Sequence, residues 1–275
     1  MARLLNGITL LANNTLPIVS STKFNTEIKK LSAEEYNQLA LSYKEKGLTK
    51  KVINFYEKAL AVRISTLGRL NSKTVSSYIK LAEVYFEDGY ISKSLHLYGK
   101  SLEINKTLFG VNSLQSATIY SALANIYFSE ENTEEAFNFY LKSLSIRKSI
   151  LGELHPLTAK SQHELGYFYA SLEEYSLALE LFEHALETRI ELYRLSHPET
   201  AKNYDSLAMC HYHLFNYELA YRNLVEAIKI KELIFPKDDT QILLCKKNLQ
   251  EIKKHLSFGE RHTFLQSISR WIKSF

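Results

Sequence analysis

Apolar residues recur along this chain with the spacing of helices that each bury one face. One set, at i, i+3, i+4 and i+7, consists of Tyr78, Leu81, Ala82 and Tyr85. A second set follows the turn signal Asp88-Gly89-Tyr90 and consists of Ser94, Tyr98, Ser101 and Leu102. The two sets together predict a helix–turn–helix hairpin.

The same hairpin pattern repeats every 42 residues over most of the chain. Leucine marks the first helix of each copy, at Leu39, Leu81, Leu123, Leu165 and Leu207. Large residues mark the second helix, at Tyr56, Tyr98, Tyr140, Phe182 and Leu224. Small residues that allow close helix approach recur at Ala40, Ala82, Ala124, Gly166 and Ala208. Self-similarity with a fixed period predicts a stack of repeated hairpins.

Glycine and proline mark the connections between the units. Glycine stands where a helix is expected to end, at Gly68, Gly110 and Gly152. His155-Pro156 and His197-Pro198 place proline in the first turn of the next helix, where its missing N–H is not needed. We therefore expect these two histidines to act as helix-start residues rather than as ligands.

Composition narrows the classes of function without selecting one. Only 9 Gly and 4 Pro among 275 residues argue against an all-β fold. The net charge of +4 is small and well mixed, so no nucleic-acid ligand is predicted. Cys210 and Cys245 cannot form a disulfide framework, which favours a reducing compartment. No apolar run approaches the ~20 residues of a membrane span.

The pattern Leu-Ala-x-x-Tyr, a turn, and Ala-x-x-x-Tyr-x-x-Ala-Leu resembles the tetratricopeptide repeat, whose usual period is about 34 residues. The longer linkers in Leu151–Ala159 and His197–Ala201 resemble the 42-residue type found in kinesin light chains. This resemblance implies an all-α, right-handed superhelical solenoid of five hairpins with C-terminal capping helices. Residues 32–241 would form the five units, and residues 242–275 a degenerate sixth helix followed by an amphipathic capping helix.

Both flanks of the repeats allow more than one interpretation. Residues 1–31 contain no acid before Glu27, which fits either a weakly packed tail or short helix, or an organellar targeting segment. Near the other end, one apolar stripe consists of Phe264, Leu265, Ile268, Trp271 and Ile272. A helix with that stripe would cap the last repeat, as a solenoid requires, or contact a membrane surface or partner, or fold back into the groove.

No catalytic constellation is predicted from the sequence. His163-Glu164 begins like a metalloprotease helix, but Tyr167 stands where the second histidine ligand would be. His211 and His213 are two residues apart on a helix, so they point in different directions and cannot share a metal ion. No glycine-rich phosphate loop or nucleophile elbow appears. We therefore predict a protein that is not an enzyme and that requires neither a cofactor nor a metal.

The first helices of the stacked hairpins are expected to line a concave groove. If Leu39 and its equivalents point into the core, the positions two before and two or five after them face that groove. With two lysines one turn earlier, the candidate groove residues are Asn37, Lys44, Ile79, Glu83, Phe86, Asn125, Phe128, Lys160, His163, Tyr167, Lys202, Asp205, Met209 and Tyr212. Aromatic side chains beside Lys and His suit a peptide that offers an apolar anchor flanked by Asp or Glu.

The leading hypothesis is a cytoplasmic, non-catalytic adaptor that binds a partner peptide in this groove. An alternative, suggested by the acid-poor residues 1–31, is a mitochondrial assembly factor that uses the same repeats to stabilise a protein complex. No membrane contact is predicted, apart from the alternative role of the C-terminal helix given above.

Overall fold

The computed structural model describes residues 31–193 and 196–256. The predictions for residues 1–30 and for the apolar stripe after residue 256 lie outside the described residues. Within those two ranges all regular structure is helical, which confirms the all-α prediction. The helices are α1 (Ala33–Glu45), α2 (Thr49–Leu67), α3 (Ser72–Glu87), α4 (Ile91–Phe109), α5 (Leu114–Ser129), α6 (Thr133–Leu151), α7 (Pro156–Ser171), α8 (Tyr175–Tyr193), α9 (Pro198–His213), α10 (Tyr217–Ile234) and α11 (Thr240–His255).

The helices pack as five consecutive hairpins, α1–α2 to α9–α10, and each hairpin packs on the next along the chain. The second helix of one unit contacts the first helix of the following unit, from α2 against α3 to α10 against α11. Contacts between units therefore stay between neighbours, as expected for a repeat solenoid.

The turn inside each hairpin places a positive φ angle at one fixed position of the 42-residue unit. These positions are Gly47, Gly89, Glu131, Glu173 and Phe215, with φ between 58° and 79°. An L-residue in this left-handed region is strained, whereas glycine is not. The first two units therefore have glycine at this turn, and the other three have a residue with a side chain in a strained backbone conformation.

The connections between units follow the glycine and proline signals of the sequence. Gly68, Gly110 and Gly152 end α2, α4 and α6, and their N–H groups return to the carbonyl four residues earlier. His155 and His197 precede α7 and α9, and the Nδ1 atom of each accepts a hydrogen bond of 3.1 Å from the backbone N–H two residues later. Both histidines are N-caps, so their prediction as helix-start residues is confirmed.

The core consists of small residues of the first helix against large residues of the second. Ala40, Ala82 and Ala124 are fully buried. Gly166 holds this place in the fourth unit, where an added Cβ would lie 2.8 Å from the ring of the fully buried Phe182. The glycine and the phenylalanine therefore fit each other, because a methyl group has no room beside the ring.

The last described helix, α11, has a polar outer surface. Gln250 is exposed where the equivalent small residue of each complete unit is buried, and Lys246 and Lys247 are exposed beside it. Leu243 and Leu244 are also exposed, near the start of the helix. A largely polar outer surface is what the end of a solenoid requires.

Candidate functional site

The first helices form one continuous face of the molecule. Among helices that are not consecutive in the chain, the main contacts are between first helices, namely α3 with α5 and α7 with α9. Side-chain hydrogen bonds connect consecutive units on this face, and each joins residues 43 positions apart. They are Lys44 Nζ to Glu87 Oε1 (2.7 Å), Ser121 Oγ to Glu164 Oε2 (2.6 Å), His163 Nε2 to Ser206 Oγ (3.1 Å) and Tyr212 Oη to His255 Nε2 (3.3 Å). We call this face the groove.

Three of the predicted groove residues are buried, which corrects their placement on its surface. Asn37, Ile79 and His163 are no more than 8% exposed. Adjacent first helices touch at this level, so a side chain here meets the next helix rather than solvent. His163, for example, lies 3.1 Å from Ser206 Oγ on the next first helix, and on its other side it packs against Phe182 of its own hairpin, with ring centroids 5.0 Å apart.

Charged residues populate the beginning of the groove. Lys44 forms an ion pair with Glu87, with both side chains about half exposed. Glu83, which precedes Glu87 by one helical turn, is also exposed. Partial desolvation raises the pKa of its carboxyl. The charge of Glu87 raises this pKa further, whereas the charge of Lys44 lowers it. This end of the groove therefore carries charges of both signs.

Aromatic residues occupy the middle of the groove, but they differ in accessibility. Phe86 and Phe128 are only partly exposed, and Phe128 packs edge-on against Phe168 at 5.7 Å. Tyr167, in contrast, is 55% exposed. Asn125 is exposed, and its Oδ1 accepts a hydrogen bond of 2.6 Å from the hydroxyl of Tyr140. Tyr167 is therefore the most accessible aromatic side chain among those predicted.

Two exposed lysines in equivalent positions flank this aromatic region. Lys160 lies two turns before Tyr167 on α7, and its Nζ is 3.7 Å from Glu164. Lys202 lies one unit later on α9. Burial, together with the charges of Arg189 and Lys202, lowers the pKa of His163 to about 3. Since His163 is uncharged at neutral pH, the local positive charge comes from the lysines and the buried arginine.

At the far end of the groove, α9, α10 and α11 enclose a cavity of about 560 Å³. It brings together three predicted groove residues, Asp205, Met209 and Tyr212. Leu244 and Asn248 of α11 line the opposite wall. The wall is mostly apolar with a few polar groups, which is the usual character of a binding pocket.

A series of buried polar side chains, which we did not predict, joins each hairpin to the next. It holds one place near the end of each second helix: Arg63, Asn105, Arg147, Arg189 and Lys231. Arg63 donates a 2.7 Å hydrogen bond to Ser77, and Arg147 donates one of 2.6 Å to Ser161. These acceptors lie on the next first helix, 14 residues further along the chain. We call the five residues the polar series.

The polar series adapts where its acceptor changes. Arg189 donates to the side chain of Asn203. Asn105 donates to Ser113 and Ser116 at 2.7 Å, because the apolar Ile119 stands at the equivalent acceptor position. A single polar position with the 42-residue period, inside otherwise apolar helix faces, is the sequence signal that could have revealed this series.

Metal binding, membrane spanning and cysteine reactivity also bear on what the described residues can do. Within residues 31–193 and 196–256, no group of three or more His, Cys, Asp and Glu side chains could hold a metal ion. In the same ranges, no helix has the length and apolar character needed to cross a membrane. Cys210 is fully buried, and burial raises the pKa of its thiol to about 12. This supports its interpretation as an inert apolar residue.

Solved structures of low sequence identity share this fold. A Podosopora anserina protein described as a kinesin light chain with nearly identical TPR-like repeats is 21% identical, with a TM-score of 0.60, covering 72% of this chain and 93% of its own. BtubC (BKLC) from P. vanneervenii is 18% identical, with a TM-score of 0.65 and coverages of 87% and 91%. The apo form of RapI is 17% identical, with a TM-score of 0.61 and coverages of 86% and 99%. At these identities the likeness establishes the fold alone.

Sequence profiles of the tetratricopeptide repeat match residues 33–63, 74–114, 115–191 and 157–232. No curated protein matches the chain significantly. The profile matches extend across all five hairpins, and the 42-residue period is the one expected from the resemblance to kinesin light chains. The chain belongs to the tetratricopeptide repeat family.

Proposed function

We propose that this protein is a non-catalytic adaptor that binds a peptide segment of a partner protein along the groove. The observation that carries the proposal is the exposed ring of Tyr167 on a face that also exposes Lys160, two turns earlier on the same helix, and Lys202, at the equivalent position of the next first helix. Stacked repeats of this type commonly present extended concave binding surfaces.

The chemistry of this region favours one class of peptide. An exposed tyrosine supplies a large, rigid contact area with few rotatable bonds, which suits an apolar anchor residue of the ligand. The two lysines favour Asp or Glu beside that anchor. Phe86 and Phe128 contribute less surface, since they are partly covered by neighbouring helices.

A random peptide display library selected on the full chain tests the proposal. Selected peptides should combine an apolar residue with nearby Asp or Glu. Tyr167→Ser should weaken their binding at least about tenfold, because an exposed aromatic anchor contributes more than about 1.4 kcal/mol. Lys202→Glu should remove the preference for acidic residues.

A matched control is Leu177→Ser on α8, since Leu177 is also exposed but lies on a second helix. Equal affinity of the wild type and Tyr167→Ser for the selected peptides would overturn the groove assignment. Loss of affinity with Leu177→Ser alone would move the binding face to the second helices.

A further inference from the structure

Lys231, Asp205 and Cys245 form a cluster of reactive groups where α9, α10 and α11 meet. Lys231 is only 5% exposed, and its Nζ lies 2.5 Å from Asp205 Oδ2 and 3.1 Å from Cys245 Sγ. The thiol of Cys245 donates to Asp205 Oδ1 at 3.4 Å. Each of the three groups therefore contacts the other two.

This cluster is the last member of the polar series, and its chemistry differs from that of the others. Arg63 and Arg147 donate to serines, and a guanidinium bonded to a hydroxyl has no reaction open to it under mild oxidation. At Lys231 the donor is an amine, which becomes a nucleophile when it loses a proton. Its partner is a thiol, which can be oxidised.

The cavity gives small molecules a path to these groups. Asp205, Lys231 and Cys245 all line it, and the carboxylate side chain of Asp205 is 30% exposed. A neutral oxidant of the size of hydrogen peroxide can therefore reach the sulfur, and Asp205 can pass protons to solvent.

We infer that Cys245 and Lys231 form a reversible sulfenamide cross-link on exposure to a hydroperoxide. In the first step the Cys245 thiol gives its proton to Asp205 and its sulfur takes an oxygen atom from hydrogen peroxide as the O–O bond breaks. Asp205 returns the proton to the departing hydroxide, which leaves sulfenic acid, one water and an ionised Asp205. In the second step Lys231 Nζ gives a proton to Asp205 and attacks the sulfur. The S–O bond breaks, the hydroxyl takes the second proton lost by the nitrogen and leaves as water, and an S–N bond joins α10 to α11.

Among the described residues, only one of the two cysteines has an amine and a carboxylate in contact with its sulfur, namely Cys245. Burial raises the pKa of the Cys245 thiol, as does the charge of Asp205, whereas the contact with the Lys231 ammonium lowers it. Cys210 has an apolar environment that includes Ala178 and Phe182. The chain therefore contains its own internal control, a buried cysteine in apolar surroundings.

The test is mass spectrometry of the full chain after treatment with hydrogen peroxide and alkylation of the remaining thiols in denaturant. Compared with the reduced chain, the expected product has two hydrogen atoms fewer and no added oxygen. It carries one alkyl group, at Cys210. Digestion after glutamate should yield a linked pair of peptides containing Lys231 and Cys245, and dithiothreitol should separate them.

The polar series itself supplies conservative variants. Lys231→Arg places the residue found at three equivalent positions, and Cys245→Ser places the residue found at 77 and 161. Both should keep the wild-type circular dichroism spectrum and lose the cross-link. Cys210→Val should retain it, which separates the sulfenamide from a disulfide between the two cysteines. In the wild type the two products also differ, because the disulfide leaves no thiol to alkylate.

Four results would overturn the inference. The linked peptides could persist in Lys231→Arg, or disappear in Cys210→Val. Cys245 could instead be recovered as its sulfinic or sulfonic acid, or unmodified, in a wild-type chain that remains folded throughout the treatment. A product that retains the added oxygen between the two residues would also contradict the attack of nitrogen on sulfur.

Discussion

The guanidinium of Arg147 in α6 donates a 2.6 Å hydrogen bond to Ser161 in α7 and so joins the third hairpin to the fourth. Arg147 is only 2% exposed. Its charge is compensated in part by Glu164, whose carboxylate is 3.9 Å away. The stacking of these repeats therefore depends on a buried cation as well as on apolar packing.

Replacing Arg147 with alanine should destabilise the protein by about 3–5 kcal/mol, because the change leaves Ser161 and Glu164 without their buried partner. The measurement is the midpoint of urea denaturation followed by circular dichroism. Lys148→Ala is the control, since Lys148 pairs with Glu153 on the surface, where solvent screens the pair, and should change the midpoint far less. Equal midpoints for the two variants would contradict the structural role of Arg147.

Gly166→Ala should destabilise the fourth hairpin by about 1 kcal/mol, although alanine is the better helix former. The added methyl group would lie 2.8 Å from the ring of Phe182. In a Phe182→Leu background the sign should reverse, since the fifth unit pairs Ala208 with Leu224. A double-mutant cycle measures this coupling, and additive effects would show that the two residues do not constrain each other.

The strained turns predict a stabilising substitution. Glu131 has φ of 58°, so Glu131→Gly should raise the free energy of unfolding by about 0.5–1 kcal/mol. Glu130→Gly is the neighbouring control and should lower the free energy of unfolding. Glu130 has φ of −91°, so glycine relieves no strain there and only increases the conformational entropy of the unfolded chain. Thermal unfolding of both variants distinguishes these outcomes. A lower melting temperature for Glu131→Gly would refute the strain argument.

His163 should make the fold sensitive to acid. Burial lowers the pKa of His163 to about 3, whereas an unfolded histidine titrates near about 6.5. Between these values the unfolded chain binds the additional proton, so the stabilisation is complete above about pH 6.5 and is lost as the pH falls towards 3. The slope is at most about 1.4 kcal/mol per pH unit.

His163→Gln should therefore reduce the loss of stability between pH 7 and pH 5, measured as the free energy of unfolding at each pH. The comparison variant is His184→Gln, which removes an exposed histidine instead of the buried one. If His163→Gln shows the full wild-type slope, the acid sensitivity has another source.

The helical hairpins could be read from the sequence, because each unit repeats its apolar spacing and its turn signals. The three corrected groove positions could not. The exposure of Asn37, Ile79 and His163 depends on the distance between adjacent first helices. The spacing of apolar residues within one unit does not predict that distance. Tyr167 is exposed at the position two after the core leucine, on the same helix as the buried His163.

The polar series escaped prediction for a different reason. Arg and Lys are almost always surface residues, so a buried one is expected only when its partners are known. Those partners, such as Ser161 for Arg147, lie in the next unit. The apolar pattern therefore predicts the hairpins, whereas some of the contacts that hold one hairpin on the next appear only in the assembled structure.

The most direct test of the groove is photo-crosslinking to a peptide selected on the wild-type chain from a random display library. A photoreactive phenylalanine derivative replaces Tyr167 in one preparation of the full chain and Leu177 in another. Both positions are exposed, on a first helix and on a second helix respectively. A covalent peptide adduct at position 167 and none at position 177 is the predicted result, and an adduct at position 177 alone would contradict the account.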